Sequence, residues 1–182
     1  MYFQILAAAA ATAGAWADFR THKIPNRLTV TCLGIGVILR LTAGIWIGIS
    51  AGEVRQMIIT TGGFLADGAL GFAVGCIGIL LWFLGALKAG DVKLYMAVGA
   101  IGGGRFCLNT EIFSILIGGA AAFLVMLFRK NGREALKRLW LYGKSLILTR
   151  TYRKYEGDSS SYFCFGCMIA AGAWVSLLYS VI

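Results

Sequence analysis

The chain has 182 residues, 59% of them hydrophobic and only 14% charged, with a net charge of +9. Soluble domains carry about a quarter of their residues as charged side chains, so this composition excludes an ordinary soluble domain and points to a chain solvated by lipid. The positive excess is not a nucleic-acid footprint either, because the basic residues fall in the connections between apolar runs and form no single patch.

A backbone in lipid must satisfy its own hydrogen bonds, as helices or as a closed barrel. Long apolar runs without period-two alternation choose helices. There is room for about six spans of roughly 20 residues, so the expected architecture is an all-α, polytopic membrane bundle forming one domain over residues 1–182. The first span covers 1–17. Ala15-Trp16-Ala17 imitates a signal-peptide cleavage site, but no basic segment precedes it and positive charge follows, which fits a retained span better. The second span covers about 28–49, the third falls within 57–86, the fourth covers 92–104, the fifth 111–128 and the sixth 162–182. Residues 50–56 (SAGEVRQ) and 105–111 (RFCLNTE) read as short polar connectors. Glycine is abundant throughout, as close helix–helix approach in a bilayer requires.

Charge sets the orientation. The connection at 18–27 holds Arg20, Lys23 and Arg27, and that at 88–93 holds Lys88 and Lys93. The connection from 129 to about 161 is the most basic, with Arg129, Lys130, Arg133, Lys137, Arg138, Lys144, Arg150, Arg153 and Lys154. The remaining connectors carry only Arg55 and Arg105. Positive-inside bias then puts the three basic connections in the cytoplasm and both termini outside. Within 129–154, apolar pairs from Ala135-Leu136 to Leu146-Ile147 recur at near-helical spacing between basic residues. An amphipathic helix on the anionic inner leaflet is expected there.

Two carboxylates fall at the same expected depth. Asp18 ends the first span and Asp91 begins the fourth, both on the inner side. Asp67 falls toward the other end of its span, and Glu53 and Glu111 fall on the outer side. Glu134, Glu156 and Asp158 belong to the hydrophilic connection. An ionisable group at a span is costly enough to be a functional candidate. Two carboxylates in one site can share a proton, the ionised one activating a water and the protonated one polarising a carbonyl, which is peptide hydrolysis without a covalent intermediate. The helix dipole favours the anion at Asp91, near a helix start, and the neutral acid at Asp18, near a helix end. Arg20 and Lys23 act against that assignment, and the roles stay open. Gly90 lets backbone approach Asp91 closely. Pro25 and Asn26 read as a turn into the second span, where a proline costs no hydrogen bond and orients the Asp18 loop.

The five cysteines read mainly as packing residues. Cys32 and Cys76 lie inside apolar runs, and Cys164-Phe165-Gly166-Cys167 has no second pair to complete a metal site. The sole histidine, His22, reads as an interfacial cation, so neither a metal nor a cofactor is expected.

These motifs resemble the prepilin peptidase family of membrane aspartyl proteases. The first family signature, an Asp followed by Arg and then Ile-Pro-Asn, stands here as Asp18, Arg20, Lys23, Ile24, Pro25 and Asn26. The second, Gly-x-Gly-Asp-x-Lys-Leu, stands as Lys88-Ala89-Gly90-Asp91-Val92-Lys93-Leu94, with Lys88 in place of the first glycine. The last span resembles the family's Pro-Phe-Gly-Pro stretch, with Cys164 and Cys167 in place of both prolines. The resemblance implies that Asp18 and Asp91 are the catalytic pair, with Arg20, Lys23, Pro25, Asn26, Gly90 and Lys93 supporting the site or the substrate. It implies a prepilin-like substrate whose short basic leader is cut after a glycine, at the cytoplasmic face of the cell membrane. It also implies a short family member without the methylation-associated region, since nothing of that kind separates the first two spans. Two other readings compete. A transporter would use the carboxylates as ion or proton sites, with Arg40 and Asp67 as its best further polar groups and Arg40 free to snorkel outward. A non-catalytic assembly subunit of a pilus or secretion machine would use the charges only for topology.

Overall fold

The computed structural model describes residues 1–21, 24–85, 87–128 and 164–181. Their regular structure is entirely helical: α1 Tyr2–Thr21, α2 Asn26–Ser50, α3 Val54–Gly75, α4 Gly78–Phe83, α5 Ala89–Gly102, α6 Gly104–Phe128 and α7 Phe165–Val181. The short α4 continues α3, and Val54–Phe83 forms one apolar stretch, so the described elements follow the six expected spans in order. Asn26–Ser50, Val54–Phe83 and Gly104–Val125 are each long and apolar enough to cross a membrane. Their outer faces are oily: Ile38, Trp46, Ile58, Leu70 and Leu116 are among many exposed large side chains. A soluble monomer does not leave apolar surface on that scale to water. The chain is a helical membrane bundle. The surface helix expected within 129–154 lies outside the described residues.

At the centre stands α5, which packs against every other described helix. Its Leu94, Tyr95, Ala97 and Val98 have no exposed surface. The neighbours approach closely because they present small residues. From α1 come Ala7, Ala8, Ala11, Gly14 and Ala15, and from α3 come Gly68, Gly71 and Gly75. In lipid, association rests on such close backbone packing, since apolar side chains gain nothing by leaving the bilayer.

With 14 residues, α5 is about 21 Å long, short of the roughly 30 Å hydrocarbon core. It therefore ends among the other helices, and its last carbonyls need partners there. Arg40 of α2 supplies them. Its Nε donates to the Ala100 carbonyl at 2.8 Å and one terminal nitrogen donates to the Ile101 carbonyl at 3.0 Å. The other terminal nitrogen donates to the Phe64 carbonyl at 2.7 Å. Asp67 completes the cluster, 3.0 Å from the guanidinium, and accepts the Gly104 N–H at 3.2 Å.

This corrects the expectation that Arg40 snorkels to the outer interface. Its side chain is 2% exposed, because two end carbonyls of α5, the Phe64 carbonyl and the Asp67 carboxylate hold the guanidinium inside the bundle. Arg40 and Asp67, the best further polar groups of a transporter reading, are thus structural partners of one another and of the α5 end. The expected connector at 105–111 is corrected as well. Gly103 turns the chain at φ 94° and α6 begins at Gly104, so RFCLNTE forms the first turns of a helix. The reason is burial: Phe106, Cys107 and Thr110 face inward at helical spacing, and Glu111 is itself buried.

Candidate active site

The opposite end of α5 carries a different cluster. The sequence ADFRT continues α1 past its apolar run to Thr21, so Asp18 lies within the last turn of a helix. Asp91 is the third residue of α5, and its carboxylate accepts the Lys88 N–H at 3.1 Å, satisfying a donor the helix start leaves open. Both carboxylates are 2% exposed. They line one cavity of about 210 Å³ together with Ile24, Asn26, Lys88, Gly90 and Lys93.

Asp18 is also held from the far end of the chain. Its Oδ2 accepts the Gly166 N–H at 3.2 Å and the Cys164 S–H at 3.1 Å. Gly166 is the second residue of α7, so a helix N-terminus points at this carboxylate just as α5 points at Asp91. The expected split, in which only Asp91 meets a positive helix end, is therefore corrected: α7 offsets the unfavourable end of α1.

Pro25 has φ −68° and ψ 135° at the N-cap of α2, where its carbonyl accepts the Leu28 N–H. It is exposed and does not line the cavity; it fixes the turn that delivers Ile24 and Asn26 to it. Asn26 Oδ1 accepts a hydrogen bond from Lys93 Nζ at 2.9 Å, tying the start of α2 to α5. Gly90 leaves room for Ile24, whose Cβ would lie 3.3 Å from a Cβ placed on the glycine. Arg20 points away, with its guanidinium 5.0 Å from the centre of the Trp16 ring, outside the cavity lining. Lys23 lies outside the described residues. Of the expected residues the structure therefore brings together Asp18, Asn26, Gly90, Asp91 and Lys93, with Pro25 behind them.

The sequence reading gave no site role to Ile24, Lys88, Cys164 or Gly166, which the structure places beside the two acids. The substituted Lys88 still serves, because its contribution to Asp91 is a backbone N–H that any residue except proline supplies. The C-x-x-C motif does more than pack, since Cys164 bonds Asp18 and Cys167 bonds Cys164. Its signal lay in the Phe-Gly pair between the cysteines, since a glycine at a helix start lets another backbone come near.

That glycine gives a prediction. A Cβ on Gly166 would lie 3.0 Å from Asp18 Cβ, 3.1 Å from its Oδ2 and 3.4 Å from Ala15 Cα. The crowded atoms are close to backbone, so relief requires moving Asp18 or separating α7 from α1. Gly166→Ala is expected to lower the rate of any reaction at this site roughly tenfold to a hundredfold, at a strain of about 1–3 kcal/mol. Steady-state rates and a melting curve in detergent measure both effects, and an unchanged rate would mean that the position of Asp18 is not critical.

Chemically, the cavity presents two buried carboxylates facing a space large enough for water and a short stretch of chain. One acid can take a proton from water while the other gives one to a carbonyl oxygen. In comparison with known proteins, a sequence model of the type IV leader peptidase family matches residues 5–123. No curated protein and no solved structure matches the chain.

Proposed function

The chain belongs to the type IV leader peptidase family, and from that premise we propose that it is an aspartyl endopeptidase which removes the basic leader of prepilin-like precursors with Asp18 and Asp91. The family carries leader-peptidase activity in general, and the helical membrane bundle suits a substrate that is itself held in the bilayer. The observation that carries the finer reading is the shared cavity: two buried carboxylates, 73 positions apart in the chain, face the same space.

In this reading the precursor's hydrophobic helix lies beside the exposed apolar faces of the bundle, and its leader junction enters the cavity as extended chain. A glycine before the cut bond suits the confined space. Water bound between the acids loses a proton to the ionised carboxylate as it attacks the scissile carbonyl. The protonated carboxyl donates to the carbonyl oxygen, and collapse of the tetrahedral intermediate returns a proton to the leaving amine. The Lys88 N–H fixes Asp91 and the Gly166 N–H fixes Asp18, so the geometry precedes substrate binding. Because the acids act as a pair, a pH–rate profile reports two apparent values that belong to both.

Positive-inside bias supports a cytoplasmic site in the cell membrane, and the short sequence separation between α1, ending at Thr21, and α2, starting at Asn26, supports a short member without methylation of the product. The decisive measurement is co-expression with candidate pilin-like precursors and mass analysis of their N-termini. A new N-terminus just after the leader glycine is expected. Precursors that keep their leaders, with the enzyme inserted and intact, would remove the reading.

A further inference from the structure

The carboxylate of Asp18 is fastened by one donor that chemistry can erase. Its Oδ2 accepts the Gly166 N–H, which is permanent, and the Cys164 S–H, which exists only while that sulfur is a thiol. Three residues on, the Cys167 S–H donates to Cys164 Sγ at 3.4 Å. Both cysteines are free and only partly buried, so a small molecule can reach them. Cys164 stands just before α7 with its sulfur 3.1 Å from Asp18 Oδ2, a separation at which a thiol donates a hydrogen bond and a thiolate would meet like charge. The group facing the carboxylate is therefore the protonated donor.

We propose that Cys164 and Cys167 form a thiol switch on Asp18: Cys164 positions the carboxylate as a thiol, and an intramolecular disulfide with Cys167 releases it. The inference rests on the peptidase reading for its consequence, but not for its chemistry. The oxidant is a small disulfide. The Cys167 thiolate attacks one of its sulfurs and expels a thiolate, forming a mixed disulfide. Cys164 then loses its proton, attacks the Cys167 sulfur and expels the second thiolate. Two electrons pass from the cysteine pair to the small disulfide, and two protons end on its two thiol products. Once the bond is closed, Cys164 has no hydrogen to donate and turns sulfur lone pairs toward an oxygen that carries its own. Asp18 keeps the Gly166 N–H alone. Reduction by a dithiol reverses every step, and in a reducing compartment the open form is the resting one.

The test uses the full-length protein in detergent, a precursor that it cleaves, and oxidised glutathione followed by dithiothreitol. Oxidation is expected to remove two hydrogens from the peptide that carries both cysteines and to slow cleavage roughly tenfold, the scale of losing one hydrogen bond to a charged group. Dithiothreitol restores the rate. The ratio of oxidised to reduced rate is expected to return to near one in both Cys164→Ser and Cys167→Ser. Among reduced proteins, Cys164→Ser keeps a hydroxyl donor and stays near the wild-type rate, whereas Cys164→Ala falls about tenfold. Failure of the disulfide to form, full activity with the disulfide closed, or a Cys164→Ala rate equal to wild type would each overturn the proposal. The disulfide is also scored by mass in Asp91→Asn protein, where cleavage plays no part. No cleavage by reduced wild-type protein would instead overturn the peptidase reading, and the two failures are thereby separate.

Discussion

Replacing Asp91 or Asp18 by asparagine is expected to lower precursor cleavage by a factor on the order of 10³ or more, about 4 kcal/mol in the barrier. The amide has nearly the shape of the carboxylate but neither gains nor loses a proton near neutral pH. At position 91 the amide oxygen still accepts the Lys88 N–H, and at position 18 it still faces the Gly166 N–H and the Cys164 S–H. Capping and packing therefore survive, and only the proton transfers are lost. Both side chains are 2% exposed, so water from outside the cavity does not easily replace the missing acid or base. The double variant is expected to be little worse than either single one, because two groups sharing one proton act as a unit. Cleaved and uncleaved precursor are measured by mass, with membrane insertion and helix content recorded on the same preparations. Cleavage within tenfold of wild type by Asp91→Asn would remove the two-acid mechanism.

The second large effect concerns the scaffold. A side chain at Gly71 of α3 would overlap the carbonyl of Gly99 in α5, and one at Gly99 would overlap the carbonyl of Gly71. Each clash is with backbone, which has no rotamer to escape into. The helices would have to separate at their closest point, next to the end of α5 where Arg40 holds the Ala100 and Ile101 carbonyls. Gly71→Ala or Gly99→Ala is expected to cost about 3 kcal/mol or more, from overpacking at 1–3 kcal/mol together with weakened bonds to a buried guanidinium. Larger residues should prevent a folded product from accumulating. Gly62→Ala and Gly63→Ala are the controls. These glycines lie in α3 too, and nothing lies within 4 Å of a Cβ added to either. They should be neutral or stabilising by up to about 1 kcal/mol, since alanine favours a helix over glycine. Thermal unfolding in detergent distinguishes the two pairs, and equal melting temperatures for all four would contradict the close α3–α5 crossing.

The same glycines mark the limit of what can be read without a fold. Apolar runs of span length and low charge were enough for a helical membrane bundle, because lipid offers the backbone no other hydrogen-bond partner. The alternation of basic connections was enough to expect Asp18 and Asp91 at one end of the bundle, where one cavity takes both, and the short motifs around them were enough for the family resemblance. Residue spacing also put Pro25 at a helix start. These features are local: each depends on composition, or on a few adjacent residues, and needs no knowledge of what packs where.

Which face of each helix turns inward was not legible. In water an inward face is apolar and an outward one polar, but a helix in lipid is apolar all round, so periodicity carries little information about its partners. For that reason the inward turn of Arg40, the helical state of 105–111 and the burial of Glu111 were all missed. The C-x-x-C motif was missed for a related reason. Cys164 touches Asp18 across 146 positions of the chain, a contact made only when α7 packs beside α1. Local chemistry decided that this chain would be helical, held in a membrane and supplied with two acids; only long-range packing decided that a thiol and a helix N-terminus would meet one of them.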